Sequence, residues 1–170
     1  MNIKLFYFLL FFLFLFVEIG HSQGKGNPAD LPKDTLSVEW WNNLDDEWKR
    51  YFTDSAGVTI PVDTADFRKI NEKRIINLHG YVIESLDPLK VLSNITFLNC
   101  SGAFITSLEP LAKMQELRTL ICDSIPTLHS IKPLYVINSL VSVSITHTPI
   151  PSDEIKKLKS INLGIEIIVK

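Results

Sequence analysis

The 170-residue chain carries 17 Lys and Arg against 19 Asp and Glu, a formal net charge of −2, and 46% of it is hydrophobic. This balance excludes the basic face of a nucleic-acid binder and the Lys/Arg cluster of a membrane-surface protein. The densest basic group, Lys156, Lys157 and Lys159, reads as a solvated helix face, and the length suits one domain plus a targeting segment.

The chain opens on Lys4, an apolar run over residues 5–17, and small residues at Gly20 and Ser22. A positive start, a short apolar centre and a small-residue site form the layout of a secretory signal peptide. The run falls short of the ~20 residues that span a bilayer, so residues 1–22 are read as a cleaved signal rather than a retained anchor. The mature chain is then expected to be exported (periplasmic, cell-surface or released) with no membrane insertion. Residues 23–35, rich in Gly, Pro, Asn and Asp, read as a flexible leader.

Residues 36–66 read as an N-terminal helical cap. Trp41, Leu44, Trp48 and Phe52 share one face of a helix predicted over 37–54 and ended by Gly57. These tryptophans suit either a carbohydrate-stacking surface or a cover over the open end of a solenoid, and the second use is expected. A second short helix starts at Asp63 or Thr64, either of which supplies the N-capping oxygen, and turns Phe67 and Ile70 inward.

Residues 67–150 repeat. Aligning Leu86, Leu108 and Ile131 also aligns Pro88, Pro110 and Pro133, then Leu89, Leu111 and Leu134. The match runs on through Leu92, Met114 and Ile137, through Ile95, Leu117 and Leu140, and through Leu98, Leu120 and Val143, to Cys100, Cys122 and Ile145. A period of 22–23 residues marks a solenoid. Stepping back one period places Phe67, Ile70, Ile76 and Leu78 in the same register, so residues 67–83 form a degenerate first repeat with Lys73 where a core aliphatic would stand. Residues 151–170 read as a C-terminal cap. There Ser152 and Asp153 cap a helix to about residue 160, and a strand over 165–169 completes the sheet and shields its edge.

Each unit resembles the leucine-rich-repeat pattern L-x-x-L-x-L-x-x-N-x-L, carried by Ile95, Leu98, Cys100, Ala103 and Ile105, by Leu117, Leu120, Cys122 and Ile125, and by Leu140, Val143, Ile145, Thr148 and Ile150. The Ser-Leu-x-Pro-Leu turns at Ser85 and Ser107 resemble the 22-residue class of internalin-like bacterial surface proteins. The Trp-rich opening and the close over residues 151–159 resemble small secreted repeat proteins of Bacteroidetes-type bacteria. The resemblance implies an α/β solenoid of about four repeats with one parallel sheet. The family's Asn position is held here by Tyr81, Ala103, Ile125 and Thr148, of which only Thr148 could imitate the asparagine's backbone bonding.

Strands are expected at 76–78, 98–100, 120–122 and 143–145, paired in parallel ~4.8 Å apart. Alternation turns Leu98 and Cys100 inward and leaves three columns on the concave face. The first is Ile75, Phe97, Thr119 and Ser142; the second Asn77, Asn99, Ile121 and Ser144; the third His79, Ser101, Asp123 and Thr146. Apolar side chains rimmed by polar ones suggest a protein-binding patch, with Phe97 and Ile121 as its anchor.

Catalysis is not expected. His79, Ser101 and Asp123 fall on one column, but Ser101 lies between the other two, whereas a triad needs the histidine there. Cys100 and Cys122 read as buried free thiols, with a bridge as the alternative that export favours; further ligands for a metal are lacking. No phosphate-loop, HExxH or calcium-loop motif occurs, and no cofactor is expected. The sequence therefore points to an exported, monomeric, non-enzymatic module that binds another protein, with carbohydrate or surface adhesion through exposed aromatics as the alternative.

Overall fold

A computed structural model describes residues 36–169. The expected signal peptide (residues 1–22) and the whole expected leader (residues 23–35) lie outside the described residues.

The N-terminal cap is built from three helices, α1 (Val38–Asn42), α2 (Asp46–Ala56) and α3 (Thr64–Asn71). The helix predicted over 37–54 is thus broken in two. Asp45 adopts an extended backbone and its carboxylate accepts the Trp48 N–H at 2.8 Å, so a side-chain cap competes successfully with continuation of α1. The buried face survives the break, since Trp41, Leu44, Trp48 and Phe52 are all in the core. Gly57 ends α2 in the left-handed conformation at φ 61°, as its position predicts. Asp63 caps α3 through a reciprocal box with Asp66. Ile70 is fully buried and Phe67 half-buried.

Five three-residue strands follow: β1 (Ile75–Asn77), β2 (Phe97–Asn99), β3 (Thr119–Ile121), β4 (Ser142–Ser144) and β5 (Glu166–Ile168). They pair in sequence order, all parallel. The first four begin one residue earlier than expected. Their inward sides are nonetheless as predicted: Ile76, Leu98, Leu120 and Val143 are fully buried. Between strands the chain returns through 3-10 turns at Asp87–Val91, Glu109–Leu111 and Lys132–Val136, each with proline in its first turn. The serine that precedes each turn accepts a backbone N–H two residues on, at 3.1 Å for Ser85, 3.1 Å for Ser107 and 3.3 Å for Ser130. The repeated Ser-Leu-x-Pro-Leu is therefore a turn signal with a mechanism. Leu86, Leu89, Leu108, Leu111, Ile131 and Leu134 fill the space behind the sheet.

Leaving each of the first four strands, the chain passes through one left-handed residue: Gly80, Gly102, Ser124 and His147, at φ 89°, 74°, 56° and 53°. The repeat demands this conformation whether or not glycine occupies it. A side chain in the left-handed region costs ~1–2 kcal/mol, offset in part by glycine's larger unfolded-state entropy. Ser124 is exposed, and its backbone N–H bond to the Thr146 carbonyl (2.8 Å) does not depend on its side chain. Ser124→Gly should therefore stabilise the protein by ~0.5–1 kcal/mol, read as a higher urea midpoint with an unchanged slope.

Thr148 imitates the asparagine as expected. Its hydroxyl donates to the Cys122 carbonyl at 2.6 Å and accepts the Ile125 N–H at 3.2 Å, tying the convex turn of one repeat to the next.

At the far end α4 (Ser152–Ile161) packs on the last turn. Its N-cap is Pro151, with no side-chain cap bond, so the capping expected of Ser152 and Asp153 does not occur. Glu154 instead points inward, 6% exposed. β5 completes the sheet as anticipated, pairing along β4 and covering its edge, and is itself the outermost strand. Among the described residues, no helix is long and apolar enough to cross a membrane.

Candidate functional site

The register places the first two columns as the alternation predicts. Ile75 pairs with Phe97, Phe97 with Thr119 and Thr119 with Ser142; Asn77 pairs with Asn99, Asn99 with Ile121 and Ile121 with Ser144. Ile75 (63% exposed), Asn77 and His79 are open at one end, while the nine residues from β2 to β4 and their turns are half-buried against one another. Phe97 and Ile121 are diagonal neighbours and share this half-buried state.

Hydrogen bonds fix the polar members. The Asn77 and Asn99 side-chain oxygens accept the backbone N–H two residues on, from His79 at 3.2 Å and Ser101 at 3.0 Å. Ser101 Oγ accepts the Asp123 N–H at 3.3 Å. Asp123 Oδ1 accepts from Ser144 Oγ at 2.7 Å and from the Thr146 N–H at 2.8 Å. Partial burial pushes the Asp123 carboxyl up, but the bonds from Thr146 and Ser144 and the nearby His147 outweigh it and hold it below its ordinary value. These bonds hold the Asn77, Asn99, Ser101, Asp123 and Ser144 side chains in place on the face.

Asp123 thus reaches across to the neighbouring repeat through Oδ1, and Ser101 Oγ holds the Asp123 backbone N–H. Among the described residues, no group of three or more His, Cys, Asp or Glu could hold a metal ion. Trp41 and Trp48 are buried, and the half-buried Trp40 ring lies 5.5 Å from Phe52; these tryptophans form part of the cap's packing rather than an open stacking platform.

Two features escaped the sequence reading. Both columns extend onto β5, through Glu166 beside Ser142 and Ile168 beside Ser144. A further 23-residue step would have paired Val143 with Glu166 and turned the glutamate inward, because a slip of one residue flips a strand's faces. The second is a stripe on the flank: Val82 (54% exposed), Phe104 (55%), Pro126 and Pro149 are exposed at matched repeat positions. The repeat alignment carried that signal, had it been followed one residue past the asparagine position.

No protein-family model and no curated protein matches the chain. Solved structures do. Internalin C2 from Listeria monocytogenes superposes with a TM-score of 0.54 over 64% of this chain, at 21% identity. An internalin F from the same organism gives 0.51 over 63%, at 15% identity. The chain has the internalin-like leucine-rich-repeat fold. It spans 46% of the length of the first of these structures and 31% of the second. In this leucine-rich-repeat protein the short strands and 3-10 turns form the repeated unit, with helices packed before the first and after the last 3-10 turn.

Proposed function

We propose that this leucine-rich-repeat protein is an exported, non-enzymatic recognition module that binds another protein through its concave face. The fold supports an interaction module in general. The observation that carries the finer reading is the ordered concave surface itself. Phe97 and Ile121 are diagonal neighbours on adjacent strands, among side chains held by the bonds of Asn99, Asp123 and Ser144. An apolar centre with a polar, preordered rim is the composition of a protein-binding patch. Ile75, Asn77, His79, Ser101, Thr119, Ser142 and Thr146 complete the surface, and Glu166 and Ile168 extend it.

Cross-linking the exported protein in its native cell envelope tests this. The double variant Phe97→Ser, Ile121→Ser should lose the captured partner, since central anchors commonly contribute ≥ ~2 kcal/mol each. A variant at the flank, Phe104→Ser, should keep it. Equal capture by the double variant and the native protein, with both folded by circular dichroism, would refute the concave-face reading.

A further inference from the structure

Cys100 and Cys122 play no part in the concave face, yet the repeat brings them together. Each follows its strand at the matched position, both are fully buried, and their sulfurs lie 3.1 Å apart. The Cys100 N–H donates to the Ile121 carbonyl at 2.8 Å, and Cys100 Sγ lies 3.4 Å from the same oxygen. The two backbones are thus held as ladder neighbours, ~4.8 Å apart, which is inside the Cα separation that a disulfide accepts. Parallel strands point their side chains alike, yet here the sulfurs converge, and closing them to the ~2.05 Å bond length requires an approach of about 1 Å.

We propose that Cys100 and Cys122 form a disulfide that staples the second repeat to the third, directly behind Ser101 and Asp123. The structure holds the dithiol form. The bridge is made by exchange with a disulfide donor, either a small-molecule disulfide or that of a thiol oxidoreductase. One cysteine thiolate attacks a donor sulfur, forming a mixed disulfide and expelling one donor thiolate. The second cysteine thiolate attacks the first cysteine's sulfur and expels the other donor thiolate. The cysteine pair loses two electrons, the donor gains them, and the two cysteine protons end on the two departing thiols. Exchange belongs to the folding chain, before the core closes. In the folded dithiol both sulfurs are sealed from solvent, and burial together with the neighbouring Cys100 thiol pushes the Cys122 thiol up, away from the reactive thiolate. That the bridge forms in the cell rests on the export reading, because exporting compartments are oxidising. That it can form does not.

The test refolds the full chain from denaturant in a buffer of reduced and oxidised glutathione, quenches with acid, then alkylates under denaturing conditions. The expected product has no alkylated cysteine, a mass about 2 Da below the dithiol form (two hydrogens lost on bridging), and two alkylatable thiols after reduction. Its unfolding equilibrium constant should fall by about 300-fold relative to the reduced protein, the effect of closing a loop of this size. The double variant Cys100→Ala, Cys122→Ala should show no such response to oxidant. Two free thiols in the refolded monomer, or a bridged form that unfolds more readily than the dithiol, would overturn the proposal. Protein from the native envelope, alkylated at harvest, separates its two premises. A bridge that forms in the glutathione buffer but is absent from the cell overturns its native occurrence and counts against export, while leaving the concave-face test unaffected.

Discussion

Trp48→Ala should cost ~4–8 kcal/mol, enough to unfold a large fraction of the protein at ordinary temperatures, given that domains of this size are stable by ~5–15 kcal/mol. The indole is completely buried, stacked on Phe52 at 5.6 Å and met edge-on by Tyr51 at 5.8 Å. Removing so large a ring from a packed core accounts for ~3–5 kcal/mol. Its Nε1–H also donates to the Ser85 carbonyl at 3.0 Å, bridging 37 residues from cap to repeat. Alanine strands that carbonyl, adding ~1–3 kcal/mol. Trp48→Phe isolates the second part, and about half the loss should return. Urea unfolding followed by far-ultraviolet circular dichroism measures both. If the alanine variant loses less than ~2 kcal/mol, below the usual range for a buried aromatic, the cap does not hold the open end of the solenoid as described.

That dependence on the cap explains which parts of the protein could be read from its residues. The internal repeats were legible because each position recurs. Leu98, Leu120 and Val143 had to share an environment, and a single alignment fixed the inward and outward faces together. Thr148 was legible because a known backbone requirement met a residue with a hydroxyl at the right place. The ends have no second copy to compare. The break between α1 and α2 turns on one local competition at Asp45, which a continuous apolar face conceals. The β5 register depends on how many residues the chain uses around Asn162 and Gly164, and there one residue decides whether Glu166 faces in or out. Ser124 and His147 concealed the left-handed turn that Gly80 and Gly102 advertise. The concave columns were placed from alternation alone. The hydrogen bonds that fix Asp123 to Ser144 and Thr146 cross repeats and depend on side-chain reach, which periodicity does not encode.

Glu154 is the sharpest case of a residue whose sequence context misleads. Near the start of α4 it reads as an acid that complements the helix dipole, a role worth ~0.3–1 kcal/mol. The structure gives it a different task. One carboxylate oxygen accepts the Ile131 N–H at 2.8 Å and Ser130 Oγ at 3.0 Å, the latter being the serine that starts the last 3-10 turn. The Tyr135 hydroxyl donates to the Glu154 backbone carbonyl at 3.2 Å, so the same residue grips that turn twice. Lys132 Nζ, 3.6 Å away and largely exposed, adds little. Glu154→Ala should then cost ~3 kcal/mol: it removes a charge-assisted bond and leaves a buried backbone donor without a partner. Glu154→Gln keeps an acceptor within reach of the Ile131 N–H and should cost ~1 kcal/mol, the difference between a charged and a neutral bond. A dipole role predicts another pattern, with alanine and glutamine equivalent and both losses erased by salt. Denaturant unfolding of the two variants at low and high ionic strength separates these outcomes. Amide exchange at Ile131, faster in the alanine variant than in the glutamine one, would locate the loss at the bond between the C-terminal cap and the last repeat.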